Sequence, residues 1–97
     1  MRKLTTAEQE AMGRLEGILL TEVPPQRFSC WGTEQEGRMC IEPGDGFWLV
    51  FFREMGLGED VTVHPTFEEA ALQLIKNVSP SDAAQARMQA LFLGGTA

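Results

Sequence analysis

A chain of 97 residues can hold one small hydrophobic core but not two, so a single domain over residues 1–97 is expected. Hydrophobic residues at 43% and charged residues at 23% lie in the globular range and argue against a disordered chain. Fourteen acidic against eight basic side chains leave a net charge of −6. That balance argues against nucleic acid and anionic lipid as partners, because both call for a cationic surface.

At the N-terminus, Met1-Arg2-Lys3-Leu4 leads into the polar run Thr5-Thr6-Ala7-Glu8-Gln9-Glu10. An export signal needs an apolar stretch there, so a cytoplasmic protein is expected. A first helix is predicted from about Thr6 to Leu20, with Leu4, Ala7, Ala11, Leu15, Ile18 and Leu19 on one side and Pro24-Pro25 closing it. Gly13 and Gly17 fall on the opposite side, where each reads either as a tolerated weakness on an exposed face or as a point of close backbone approach.

Four short strands follow. Arg27 to Trp31 is a candidate strand, and Arg38 to Glu42 alternates, with Met39 and Ile41 pointing one way. Pro43-Gly44-Asp45-Gly46 is a turn signal that makes a hairpin with Phe47 to Glu54. Residues Met55 to Asp60 read as the next turn, before a last strand near Val61 to His64. Phe47, Leu49 and Phe51 share one face of the third strand and Trp48, Val50 and Phe52 the other. Both faces are apolar, so either both are covered or one awaits a partner.

Two helices complete the chain. Phe67, Ala71, Leu74, Ile75 and Val78 form a buried stripe over about Phe67 to Val78. Ala84, Met88, Leu91 and Phe92 share a face over about Pro80 to Leu93, ahead of Gly94-Gly95. All three helices open on a hydroxyl residue with an acid three positions later: Thr5 and Glu8, Thr66 and Glu69, Ser79 and Asp82. Glu69 suits the reciprocal capping box best, and Pro80 suits the first position of the last helix. The expected architecture is α+β: an N-terminal helix, a small, mostly antiparallel four-stranded sheet and two C-terminal helices.

Little in the chain points to chemistry. Cys30 and Cys40 lie in or beside strands and are read as reduced thiols rather than a disulfide, in keeping with the expected compartment. His64 is the only histidine, which leaves no ligand set for zinc, and no metal or cofactor is expected. Gly56-Leu57-Gly58 lacks the third glycine of a nucleotide loop and leads into a strand rather than a helix. A cysteine–histidine couple from Cys40 and His64 would need hydrogen-bond proximity and an orienting group, neither of which a sequence provides. A binding module is therefore expected in preference to an enzyme.

The charge is unevenly placed. Residues 33–69 carry nine acids against two bases, while residues 1–32 balance and residues 70–97 carry one excess base. The acids concentrate at predicted strand ends, around Glu34 and Glu36, at Asp45, and at Glu59 and Asp60. Ordinary solvation explains many such runs. Brought together in space, the same groups would make a negative field that speeds encounter with a basic surface.

One stretch carries a resemblance. An aromatic strand, Phe47-Trp48-Leu49-Val50-Phe51-Phe52, runs into Arg53-Glu54-Met55-Gly56, a short strand, and a helix opened by Thr66-Phe67-Glu68-Glu69-Ala70-Ala71. It resembles the small α+β immunity proteins encoded beside bacterial polymorphic toxins of contact-dependent and type VI systems, over about a third of the chain. The resemblance implies a cytoplasmic protein that binds a cognate toxin domain and blocks its active site or its activation, and the expected partner is a basic toxin domain whose site the acidic loops cap. The partner-binding residues expected are Glu34, Glu36, Asp45, Glu59 and Asp60, with Trp31 or Trp48 as exposed aromatic anchors. The alternative is a secretion chaperone, a homodimer that holds an export substrate on its Trp48/Val50/Phe52 face.

Overall fold

In a computed structural model that describes residues 3–30, 36–55 and 57–94, the first helix, α1 (Thr6–Leu20), starts at the predicted cap. The Thr5 hydroxyl accepts from the Glu8 N–H at 3.1 Å and the Glu8 carboxylate accepts from the Thr5 N–H at 2.9 Å. The reciprocal box therefore closes here, whereas the sequence pointed to Glu69; at Thr66 the hydroxyl accepts from the Glu69 N–H at 3.2 Å. Met12, Leu15, Ile18 and Leu19 form the buried side of α1; Met12 was not expected there, and Ala7, which was, is exposed. Nothing stands within 4 Å of a Cβ added at Gly17, so that residue is a weakness on an exposed face rather than a contact point.

A single 3-10 turn leads into β1 (Phe28–Ser29), followed by β2 (Arg38–Pro43), β3 (Trp48–Glu54) and β4 (Leu57–His64). The sheet order is β1-β2-β3-β4. β2, β3 and β4 form the expected antiparallel meander, but β1 runs parallel to β2, which makes the sheet mixed. β4 also starts earlier than predicted, because part of the glycine-rich stretch read as a turn pairs with β3: Leu57 lies opposite Glu54 and Gly58 opposite Arg53. A bulge permits this. Val50 pairs with Thr62 and Phe52 with Glu59, so Phe51 alone faces both Asp60 and Val61, and Asp60 takes a left-handed φ of 53°.

The remaining helices are α2 (Phe67–Val78) and α3 (Asp82–Gly94). α3 starts two residues later than the expected Pro80. Ser79 finishes α2 instead, its N–H donating to the Ile75 carbonyl at 3.1 Å, and Ser81 caps α3 by accepting from the Ala84 N–H at 3.1 Å. Leu91, expected on the buried face of α3, is exposed, while Ala84, Met88 and Phe92 are buried.

α2 packs on β2, β3 and β4, and α3 packs on both α1 and α2. The core thus forms between the helices and one face of the sheet, where Cys30, Ile41, Trp48 and Val50 meet Leu15, Leu74, Ile75 and Met88. Strand alternation sends Cys40 and Phe51 to the outer face. There the Arg53 guanidinium lies 5.1 Å over the Phe51 ring and 3.9 Å from the Glu42 carboxylate. This side-chain roof explains how two residues outside the main core come to be buried. The inner face of β3 is thus covered by α2, while on the outer face Phe51 is buried, Leu49 is half-buried and Phe47, just before the strand, is exposed.

Candidate functional site

The meander decides where the carboxylates go. Its first turn, which carries Asp45, joins the far ends of β2 and β3; its second, between β3 and β4, lies at the opposite end of the sheet. The Gly37 N–H donates to the Arg53 carbonyl at 2.7 Å and ties the start of β2 to that second end. Glu36, Glu54 and Glu59 therefore fall in the half of the sheet nearest that end, and Asp60, opposite Phe51, follows at mid-strand. Asp45 stands at the other end, about 17 Å away by strand rise, on the side of Glu68 and Glu69 in the first turn of α2. A single acidic face including Asp45 does not form. Glu34 and Trp31 lie outside the described residues.

Trp48 does not serve as an exposed anchor. It is 5% exposed, and its ring meets Phe67 of α2 edge-on with centroids 5.0 Å apart. The reason is register: Trp48, Val50 and Phe52 alternate onto the face that α2 covers. The same packing occupies the face on which a chaperone would hold its substrate.

Beside the acidic end, a cavity of about 330 Å³ opens between β4 and α2, lined by Met39, Asp60, Thr62, Gln73 and Asn77. The bulge places the exposed Asp60 at its mouth. The Gln73 amide donates to the Asn77 side-chain carbonyl at 2.7 Å, and the Asn77 amide approaches the Met39 sulfur at 3.7 Å. The Thr62 hydroxyl lies 2.8 Å from His64 Nε2 and 3.4 Å from the Val50 carbonyl. A carboxylate, a hydroxyl, a thioether and two amides suit a hydrogen-bonding cationic group better than an anion. Among the described residues β4 has a strand neighbour on one side only, and on the outer face Val61 is 51% and Val63 64% exposed.

Of the pocket residues only Asp60 was singled out from the sequence, and the other four were missed. The Val61-Thr62-Val63-His64 alternation and the Gln73/Asn77 pair, four apart on one helix flank, were the available signals. Their proximity follows only from the docking of α2 over β4.

The thiols are chemically quiet. Burial is the main influence on Cys30 and pushes its pKa up to about 12, with Glu16 adding to the rise. Burial likewise raises Cys40, partly offset by the cations Arg53 and Arg38. Both cysteines are free and buried. Cys40 faces outward, opposite Phe51, while His64 pairs with Trp48 on the inner side, so these two side chains point to opposite faces of the sheet. Among the described residues, no group of three His, Cys, Asp or Glu side chains converges as a metal site. No described helix is long and apolar enough to cross a membrane. Comparison with protein-family models, with curated proteins and with solved structures finds no match to this chain.

Proposed function

We propose that this chain is an immunity-type protein that binds and neutralises a cognate bacterial toxin domain with a basic surface. The observation that carries the reading is the placing of Glu36, Glu54, Glu59 and Asp60 in one half of the sheet, away from Asp45, in a chain of net charge −6. A cationic cleft in a toxin domain is the complementary surface for such an end, and opposite fields orient the two proteins as they meet. Asp45 and Trp48 have no part in this contact.

Co-expression with the product of the neighbouring gene tests the proposal. That product should arrest growth alone and be harmless beside this protein, and the two should elute together as a stable complex. A neighbour that is harmless alone, or that still arrests growth while bound, overturns the reading.

A further inference from the structure

The acidic end, the cavity and the unpaired edge of β4 meet at Asp60. The bulge at Asp60 and the proline at 65 bound a regular four-residue edge, Val61-Thr62-Val63-His64. A strand added to that edge would lie about 4.8 Å away, and each of its side chains would share a face with the residue it pairs with. A residue opposite Thr62 would project to the α2 side, where the cavity opens beside the Asp60 carboxylate. Its two neighbours in the added strand would project outward, beside the exposed Val61 and Val63.

We infer that an extended segment of a basic protein partner pairs with β4 and sets an arginine or lysine side chain into the cavity formed by Asp60, Thr62, Gln73, Asn77 and Met39. The segment has an apolar–basic–apolar pattern: its cation meets Asp60, and its apolar residues cover Val61 and Val63. Main-chain pairing supplies the attachment and the cavity supplies the choice of side chain. A second copy of this chain is the poorer occupant. Its own β4 offers no arginine or lysine to the cavity, and two chains of net charge −6 repel. The inference rests on the reading of the chain as a binder of a basic protein and names where and how the contact is made.

The test is a titration of the isotope-labelled protein with a capped peptide, Ser-Val-Arg-Val-Arg-Val-Ser, followed by NMR. Shift changes should concentrate at the backbone amides of Val61 to His64 and at the side-chain amides of Gln73 and Asn77. Replacing the peptide arginines by glutamate should abolish binding. Asp60→Asn, which keeps a residue tolerant of the left-handed backbone, should weaken binding about tenfold. Should that variant unfold, Gln73→Ala serves in its place with the same expected direction.

Absence of binding overturns the inference. So do shifts spread over all the acidic residues and reproduced by triarginine, which would mean charge attraction alone, and concentration-dependent broadening at β4 without peptide, which would mean self-pairing. Val63→Lys in the co-expression assay separates this inference from the function. If that variant still protects and the peptide does not bind, the strand-addition mode fails while the inhibitor reading stands. If the peptide binds as expected but the wild-type chain gives no protection, the inhibitor reading fails.

Discussion

Arg14 on α1 closes the end of α3 at Phe92. Its guanidinium donates to the Leu91 carbonyl at 2.9 Å and the Phe92 carbonyl at 2.7 Å, and lies 5.2 Å over the Phe92 ring. The last carbonyls of a helix have no partner within it, so a side chain from α1 supplies what α3 lacks. Phe92 in turn lies 6.2 Å from Phe67, and Phe67 lies 5.0 Å from Trp48. One chain of contacts thus runs from α1 through α3 and α2 to the sheet.

Arg14→Ala should therefore loosen more than one helix end. We expect a loss of about 1–2 kcal/mol in urea denaturation, the value of partly exposed charge-assisted hydrogen bonds. Arg14→Lys should recover only part of it, because an ammonium keeps the charge without the planar fork. An alanine variant as stable as the wild type would show that the contact is incidental.

Cys30 makes stability sensitive to alkali. Its ordinary pKa of 9.0 is raised to about 12 in the folded chain, chiefly by burial. Below its ordinary value the thiol is protonated in both states, and its contribution is fully present. As pH rises from about 9 toward 12, the unfolded chain gives up the proton first, so unfolding is favoured by about 1.4 kcal/mol per pH unit from this group. Cys40 acts in the same direction. Denaturation curves across this window should show a shallower decline for Cys30→Ala than for the wild type, and parallel declines would rule the mechanism out.

Gly17→Ala should stabilise the protein. The position is in the interior of α1, and a Cβ there meets nothing within 4 Å. The gain should be about 0.5–1 kcal/mol, from the lower conformational entropy of the unfolded chain. A fall in melting temperature would contradict the assignment of this helix face to solvent.

The two acidic ends should behave differently toward a basic partner. Glu59→Lys combined with Asp60→Asn should slow association with the co-expressed partner about tenfold at low salt, and the deficit should shrink as salt screens it. Asp45→Lys, about 17 Å off and beyond a Debye length at physiological ionic strength, should change the rate less than about twofold. Stopped-flow measurements on both variants decide between a localised acidic contact and a diffuse one. Equal effects would mean that net charge alone matters.

Features governed by residues within a turn of one another were legible in the chain. The Thr5 and Thr66 caps, the α2 stripe and the Pro43–Gly46 turn all stand where residue types and spacing put them, because each depends on neighbours three or four positions away. The separation of Asp45 from Glu59 was legible too: successive turns of a meander fall at opposite ends of a sheet, and the expected topology already contained that result. The cap of the third helix was not: the sequence pointed to Ser79, but Ser79 finishes α2 and Ser81 caps α3, a choice set by how far α2 extends.

Trp48, Asp60 and the cavity belong to a different class. Alternation puts Trp48 with Val50, but which of two apolar faces receives a helix depends on how α2 crosses the strands. A bulge of one residue turns Asp60 toward Met39 and Asn77, which are distant from it in sequence. Local patterns rest on short-range backbone geometry and repeat along any chain that shares them. The cavity exists because helix and sheet, each already formed, meet at one crossing whose side chains fill some spaces and leave another open.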